Sequence, residues 1–324
     1  MKLMQQRTSG GLSTSVLGFG CGSVLGRVGY AASLRAMAAA WDEGITLFDT
    51  ARSYGYGNAE SLLGKFLKGR REKAVIATKY GIAPERQSKL KLLATPVARA
   101  MLHLPGVAAL KGHGGVRQAR FGEFNPAGLR ASVEKSMREL QTDYIDILYL
   151  HDASRESVHR EDLMVELDSL IQAGKLLRAG LYAESDVIVE GIRQGPATFT
   201  AMQFGADYLN PAVSALMFQN PRNNLLIANH PFGSVSRIKM TRKTLADLSA
   251  DESCSAELRE KLRAGDWKMA LEAILGVILR GTEIHALVFS MMRPDHLRAN
   301  ARAIEECRFS NSELAIIRKR LLAL

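Results

Sequence analysis

The stretch NPAGLRASVEKSMRELQTDYIDILYLHD, residues 125–152, contains two hydrophobic periodicities in succession. Over residues 125–140 apolar side chains recur every three or four positions, which is typical of an amphipathic helix, and the Asn-Pro pair is a helix start signal. Residues 145–150 are almost continuously apolar, as in a buried strand of a parallel sheet. The stretch therefore predicts a helix followed by a buried strand, the repeating unit of α/β proteins.

The same alternation of short apolar runs and amphipathic segments continues from end to end of the chain. The predicted strands are residues 16–20, 46–49, 75–78, 145–150, 177–182, 201–204, 225–228 and 286–289. Eight strand and helix pairs in 324 residues predict a single α/β domain that spans residues 1–324. They favour a (β/α)8 TIM barrel rather than an open doubly wound sheet.

A glycine-rich stretch after the first predicted strand tests the alternative of a dinucleotide-binding open sheet. Gly18, Gly20 and Gly22 form the pattern GFGCG, whereas the fingerprint of that fold is G-x-G-x-x-G. No acidic residue closes a strand at the expected distance. The spacing therefore favours the barrel, whose ligands bind at the carboxyl ends of the strands.

Two long segments, residues 80–124 and 231–266, interrupt the regular alternation after the third and seventh predicted strands. Both are expected to be βα loops on the active-site face. The first contains LKLLATPVARAMLHL, apolar at helical spacing with basic residues between, which predicts a helical lid. A helix that binds a partner or a membrane surface is the alternative.

Charge and cysteine content restrict the class of protein. The 43 Lys and Arg residues exceed the 33 Asp and Glu residues, for a net charge of +10, but they are scattered without interleaved aromatics. This pattern favours a small anionic ligand over nucleic acid.

Three widely separated cysteines form neither a disulfide framework nor a metal motif. The sequence has no signal-like leader and no uncharged run of roughly 20 residues. We therefore expect a soluble cytoplasmic protein without a membrane span. It is expected to be a monomer or a dimer.

Four polar residues stand at or just after the ends of consecutive predicted strands. Asp49 closes TLFD, Tyr54 follows five residues later, Lys79 closes IATK and His151 closes LYLH. Each has an ordinary alternative explanation, such as a helix cap, a loop aromatic, a solvated strand end or a core histidine. Strand ends converge in a barrel, however, and burying an aspartate, a lysine and a histidine together without a function costs several kcal/mol. The four residues therefore indicate an active site.

Four motifs resemble the aldo-keto reductases in order and spacing: GITLFDTARSYG (44–55), ATKYG (77–81), RELQTDYIDILYLHD (138–152) and GKLLRAG (174–180). The His-Asp pair at 151–152 is most similar to the bacterial aldose and galactose dehydrogenase branch. The resemblance implies reduction of an aldehyde or ketone by NADPH or NADH, or oxidation of an alcohol or sugar lactol. It implies that Tyr54 is the general acid and base, that Lys79 lowers its pKa, that Asp49 holds Lys79 and that His151 polarises the substrate oxygen.

The resemblance also implies how the cofactor binds, with NADPH expected and NADH the alternative. Its contacts would be Gly20, Cys21 and Gly22 near the nicotinamide ribose, Gln203 at the carboxamide, and Arg293 and Asn300 near the adenosine.

Other positions depart from the family pattern. Tyr182 and Ala183 stand where Ser-Asn is usual, and Asn229 replaces an aromatic residue that stacks on the nicotinamide. Ser290 lies where a cation for the adenosine phosphate is common. A non-catalytic barrel that acts as a binding or regulatory subunit is therefore the second hypothesis.

Overall fold

The computed structural model describes residues 4–26, 28–84, 124–206, 213–215, 220–263 and 265–323. Eight parallel strands close into a barrel, in which neighbouring strands follow the order β10-β3-β4-β5-β6-β7-β8-β9. The barrel strands are β3 (Leu17–Gly20), β4 (Leu47–Asp49), β5 (Val75–Tyr80), β6 (Ile145–His151), β7 (Leu176–Tyr182), β8 (Phe199–Gly205), β9 (Leu225–Asn229) and β10 (Ala286–Phe289). The predicted (β/α)8 TIM barrel and all eight predicted strands are thus confirmed, with ends that differ by at most two residues.

A hairpin that was not predicted precedes the barrel. Its antiparallel strands β1 (Gln6–Ser9) and β2 (Leu12–Ser15) are joined by Gly10 and Gly11, which both have positive φ angles. The buried guanidinium of Arg178, near the start of β7, donates hydrogen bonds to the carbonyls of Ser9 and Gly10 at 2.5 and 2.7 Å. The hairpin therefore lies across the end of the barrel where the strands begin.

Helices pack around the outside of the strands. Within the described ranges they are α1 (Tyr30–Asp42), α2 (Ala59–Leu67), α3 (Pro126–Leu140), α4 (Arg155–Val158), α5 (Glu161–Gln172), α6 (Ser185–Gln194), α7 (Val235–Ala250), α8 (Ala256–Arg263), α9 (Trp267–Leu279), α10 (Pro294–Glu305) and α11 (Asn311–Leu322). The helix predicted over residues 125–140 begins within one residue of its predicted start. None of the helices in these ranges is long and apolar enough to cross a bilayer.

The segment over residues 231–266 follows the seventh barrel strand as expected of a βα loop, and most of it is helical in α7 and α8. The buried face of α7 consists of Thr241, Thr244, Leu245 and Leu248. Because two of these four positions are threonines, the apolar periodicity is weak. Of the other long segment, residues 85–123 lie outside the described ranges, and the hypothesis of a helical lid stays a prediction.

Side chains inside the barrel alternate with side chains that face the helices, as the two-residue period of a strand requires. The interior packing includes Leu47, Ala77, Tyr149, Ala201 and Ile227. Positions two residues further along the strands project inward at the carboxyl ends, which we call the barrel mouth. This alternation fixes the side chains that meet at the mouth.

Candidate active site

Asp49, Lys79, His151 and Gln203 each stand two residues beyond an interior apolar side chain, at the ends of four strands. They are buried, with exposed fractions of 5, 1, 6 and 1%. Tyr54 reaches the same region from the 3₁₀ turn Tyr54–Gly57, which follows β4. The structure therefore brings together all four residues that were predicted to be catalytic.

The ammonium group of Lys79 is held by oxygens on three sides. Its Nζ donates to both carboxylate oxygens of Asp49 at 2.7 Å and to the carbonyl of Thr50 at 2.9 Å. Burial alone would lower the pKa of Lys79, but the adjacent Asp49 carboxylate raises it above its usual value. Lys79 is therefore a fixed positive charge inside the mouth.

The phenol of Tyr54 lies over this charge, with Nζ of Lys79 5.0 Å from the ring centroid. Burial raises the pKa of Tyr54, while the charge of Lys79 and a hydrogen bond with it act in the opposite direction. The net pKa is raised, so the expectation that Lys79 brings it down toward neutrality describes one contribution and not the balance in the free protein. Tyr54 thus holds its proton at neutral pH.

His151 is neutral in this environment. Burial, and then the positive charge of Lys79, lower the pKa of its imidazole to about 3. Its ring meets that of Tyr54 nearly at right angles, with 6.1 Å between the centroids. A neutral imidazole beside the phenol has one N–H group to donate to a substrate oxygen.

A buried ion pair lies behind the turn that carries Tyr54. The guanidinium of Arg52 donates to Glu60 of α2, and the hydroxyl of Thr78 donates to the other carboxylate oxygen of Glu60 at 2.7 Å. These contacts tie both ends of the turn to α2 and β5. The sequence analysis missed this pair, although Glu60 stands in the apolar stretch AESLLGKFL.

Tyr182 and Asn229 also occupy the mouth, at the ends of β7 and β9. The Tyr182 ring lies 5.2 Å from the His151 ring and 5.5 Å from Nζ of Lys79, measured to its centroid. Its hydroxyl is hydrogen-bonded to the side chain of Asn229. One departure from the family pattern, Tyr182, therefore lies beside the predicted catalytic residues, a placement that strand alternation from Gly180 could have predicted.

A cleft of about 1100 Å³ adjoins the mouth. It extends from the segments that follow β3, β9 and β10 to the outer helices α7, α9 and α10. Its lining includes Ser23, His230, Phe232, Arg242, Trp267, Ser290, Met292, Arg293, His296 and Asn300. The predicted Arg293 and Asn300 thus face one cleft, to which Arg242 and Trp267 contribute without having been predicted.

Gly20, Cys21 and Gly22, which were predicted to contact the cofactor, have different surroundings at the end of β3. A Cβ at Gly20 would lie 3.1 Å from the backbone carbonyl carbon of Phe289, so strand packing alone requires a small residue there. The side chain of Cys21 is fully buried in the core. Gly22 faces the mouth, since a Cβ there would lie 3.9 Å from the Tyr54 ring. Of the three, Gly22 leaves space beside Tyr54.

Gln203 offers a partner for a nicotinamide carboxamide. Its Nε2 donates to Oδ1 of Asp49 at 3.2 Å, which directs its Oε1 away from the carboxylate. That oxygen is buried and accepts no hydrogen bond within the part of the chain that the structure describes. Because a buried acceptor without a donor is costly, the position fits the N–H group of a carboxamide.

Comparisons with known proteins agree with this geometry. The model of the "Aldo/keto reductase family" matches residues 16–321. Pyridoxal 4-dehydrogenase of Microbacterium luteolum is 32% identical over 160 residues, 48% of this chain and 45% of that protein. D-threo-aldose 1-dehydrogenase of a Pseudomonas species is 34% identical over 176 residues, 52% of this chain and 48% of that protein. The chain thus spans about half the length of the curated relatives that it matches.

Among solved structures, an aldo-keto reductase of Bacillus halodurans in its holo form superposes with a TM-score of 0.66. The superposition covers 98% of this chain and 96% of that one, at 23% sequence identity. The superposition shows that the two chains have the same fold.

Proposed function

Since the chain belongs to the aldo/keto reductase family, we propose that it is an NAD(P)H-dependent oxidoreductase that reduces an aldehyde or ketone, or oxidises the corresponding alcohol or sugar lactol. The observation that carries the proposal is the buried Lys79–Asp49 ion pair beside Tyr54 and His151. A buried pair of this kind has little value for stability alone, since apolar residues of similar volume would often do as well.

The cofactor would be held by Gln203 at its carboxamide and by the cleft that contains Arg293 and Asn300. When bound, it supplies or accepts the hydride at the carbonyl carbon. Gln203 also donates to Asp49. Gln203 would therefore connect a bound carboxamide with the Lys79–Asp49 ion pair.

Tyr54 donates its phenolic proton to the carbonyl oxygen in the reductive direction and accepts it in the oxidative direction. Loss of the proton creates a buried phenolate, which the adjacent Lys79 charge stabilises. Asp49 keeps Lys79 protonated and fixed in place. The neutral His151 donates a hydrogen bond to the same oxygen and orients the carbonyl.

The substrate class stays broad. The names of the two curated relatives refer to pyridoxal and to an aldose. We include a sugar lactol among the proposed substrates on this similarity and on the His151-Asp152 motif.

The proposal is tested by titrating the purified protein with NADPH and NADH and by following their absorbance with a panel of aldehydes, ketones and sugars. Binding of either nucleotide, with turnover of at least one carbonyl compound, is the expected result. Binding without turnover of any compound in the panel would contradict the catalytic part of the proposal.

Tyr182 favours one second candidate, a barrel that binds a ligand without catalysis. Its ring contacts His151 and lies near Lys79, at a position where the family has smaller residues. On this alternative the ring occupies space needed by the nicotinamide, and neither nucleotide binds.

A further inference from the structure

Arg242 of α7 is a cleft cation without a carboxylate partner. It is exposed, and it forms no ion pair within the described ranges. The two arginines near the end of β10 are each paired with a carboxylate. Arg293 forms a two-pronged pair with Asp295, with nitrogen–oxygen distances of 3.2 and 2.5 Å. Arg298 reaches toward Glu43 at 3.6 Å and does not line the cleft.

The surroundings of Arg242 are strongly basic. It lies between the cleft and a second cavity of about 480 Å³, which is also lined by Lys239, Lys243 and Arg263 and by no carboxylate. Arg263 pairs with Glu260 at 2.8 Å, and both of these side chains are exposed. Clustered like charges beside a concave surface raise the local potential and attract an anion.

The chemistry around Arg242 is that of a phosphorylated nucleoside site. The same cleft exposes Trp267, whose side chain is 55% accessible, and it contains the amide of Asn300. A base can stack on an indole, an amide can pair with the edge of a base, and a guanidinium binds phosphate through two parallel hydrogen bonds.

We propose that Arg242 binds the phosphate on the adenosine ribose of NADPH and gives the chain its preference for NADPH over NADH. This inference rests on the proposed function. Ser290, Met291 and Met292, which follow β10, carry no charge that could bind this phosphate. On this inference the cation comes instead from α7, the helix that follows β9. Lys239 and Lys243 raise the potential at that end of the cleft, while Arg242 makes the contact.

Two nucleotides that differ by one phosphate test the assignment. Adenosine 2′,5′-bisphosphate and adenosine 5′-monophosphate are titrated into the wild type and into Arg242→Ala by calorimetry, with Trp267 fluorescence as a second readout. The wild type is expected to prefer the bisphosphate by at least about tenfold, and Arg242→Ala to reduce that preference to about twofold or less. Lys243→Ala is the matched control, because it removes a neighbouring charge that lines only the second cavity.

The outcomes separate this inference from the proposed function. Equal binding of both nucleotides by the wild type, or a preference that Arg242→Ala keeps in full, overturns the role of Arg242. If NADPH and NADH still bind in those cases, the oxidoreductase proposal stands. A loss of preference in Lys243→Ala as large as that in Arg242→Ala also overturns the assignment, because it indicates a general effect of charge.

Discussion

The rings of His151 and Tyr182 meet at 78°, with 5.2 Å between their centroids. The His151 ring also meets the Tyr54 ring, at 87°. The imidazole is therefore near two phenol rings, one of which we propose to be catalytic.

Replacing Tyr182 with Ala should lower kcat for a small aldehyde about fivefold, since an aromatic pair contributes about 1 kcal/mol. Tyr182→Phe keeps the ring and loses only the hydrogen bond with Asn229, so its kcat should stay close to that of the wild type. Steady-state kinetics and NADPH titration of both variants check this. If Tyr182→Ala instead binds NADPH more tightly than the wild type, the ring obstructs the nucleotide and the non-catalytic alternative gains support.

Replacing Tyr54 with Phe should reduce kcat at least about 100-fold and leave the Kd for NADPH unchanged, because the hydroxyl acts on the proton and contributes little to nucleotide binding. The matched control is Tyr56→Phe, an exposed phenol two residues away. Equal turnover of Tyr54→Phe and Tyr56→Phe would remove Tyr54 from the mechanism.

The pH dependence of the wild-type reduction should follow the raised pKa of Tyr54. Reduction needs the protonated phenol, so kcat should be flat through neutral pH and fall only on the alkaline side. The oxidative rate should rise over the same alkaline range. A decline in reductive kcat that begins below pH 7 would contradict the raised pKa.

Replacing Lys79 with Met leaves the Asp49 carboxylate buried without its counterion, and it should lower the free energy of unfolding by about 3–5 kcal/mol. The double variant Asp49→Asn, Lys79→Met removes both charges and should recover much of that loss. Urea unfolding measures each value. The control Lys175→Met breaks an exposed pair with Glu134 and should leave stability almost unchanged. A single variant as stable as the double variant would show that the pair is not desolvated.

Acid should destabilise the protein through its buried neutral histidines. Burial, and then the charges of Arg7 and Arg178, lower the pKa of His285 to about 4, and the Nδ1 atom of His285 accepts the Leu226 N–H at 3.2 Å. The unfolded chain therefore binds more protons than the folded one between about pH 4 and 6.5, and stability falls as pH decreases through that window. His285→Asn should make this fall shallower by up to about 1.4 kcal/mol per pH unit.

Urea unfolding at several pH values from 4.5 to 7 measures that slope. Identical slopes for the wild type and His285→Asn would show that this histidine is not protonated on unfolding in the window.

The barrel and the positions of Asp49, Lys79 and His151 could be predicted from the sequence because they depend on strand periodicity. Tyr54 lies in the turn after β4, where its role was implied by the resemblance to the family. Apolar alternation locates a strand, and the residue two positions beyond its last interior side chain faces the mouth, as Lys79 and His151 do. The hairpin of β1 and β2 was missed, since QRTS and LSTS are short and polar. It is stabilised by Arg178, which is distant in sequence.

The contribution of Arg242 to the cleft could not be found by proximity along the chain. Arg293 and Arg298 stand near the end of β10, but whether an arginine faces a ligand depends on the carboxylates that surround it in the fold. Arg242 belongs to a helix with a weak apolar pattern, and its approach to the cleft follows from the packing of α7 near α9.

The closure of the barrel between β3 and β10 also constrains how the chain folds. The Ser290 hydroxyl donates to the Gly20 carbonyl at 3.3 Å across a separation of 270 residues. During synthesis on a ribosome, β3 emerges long before β10 does, so one edge of β3 stays without its barrel partner until β10 has been made. Contacts of such high sequence separation form late because loop closure has an entropic cost. Pulsed hydrogen exchange during refolding should accordingly find the β3–β10 amides protected after those of β6 and β7.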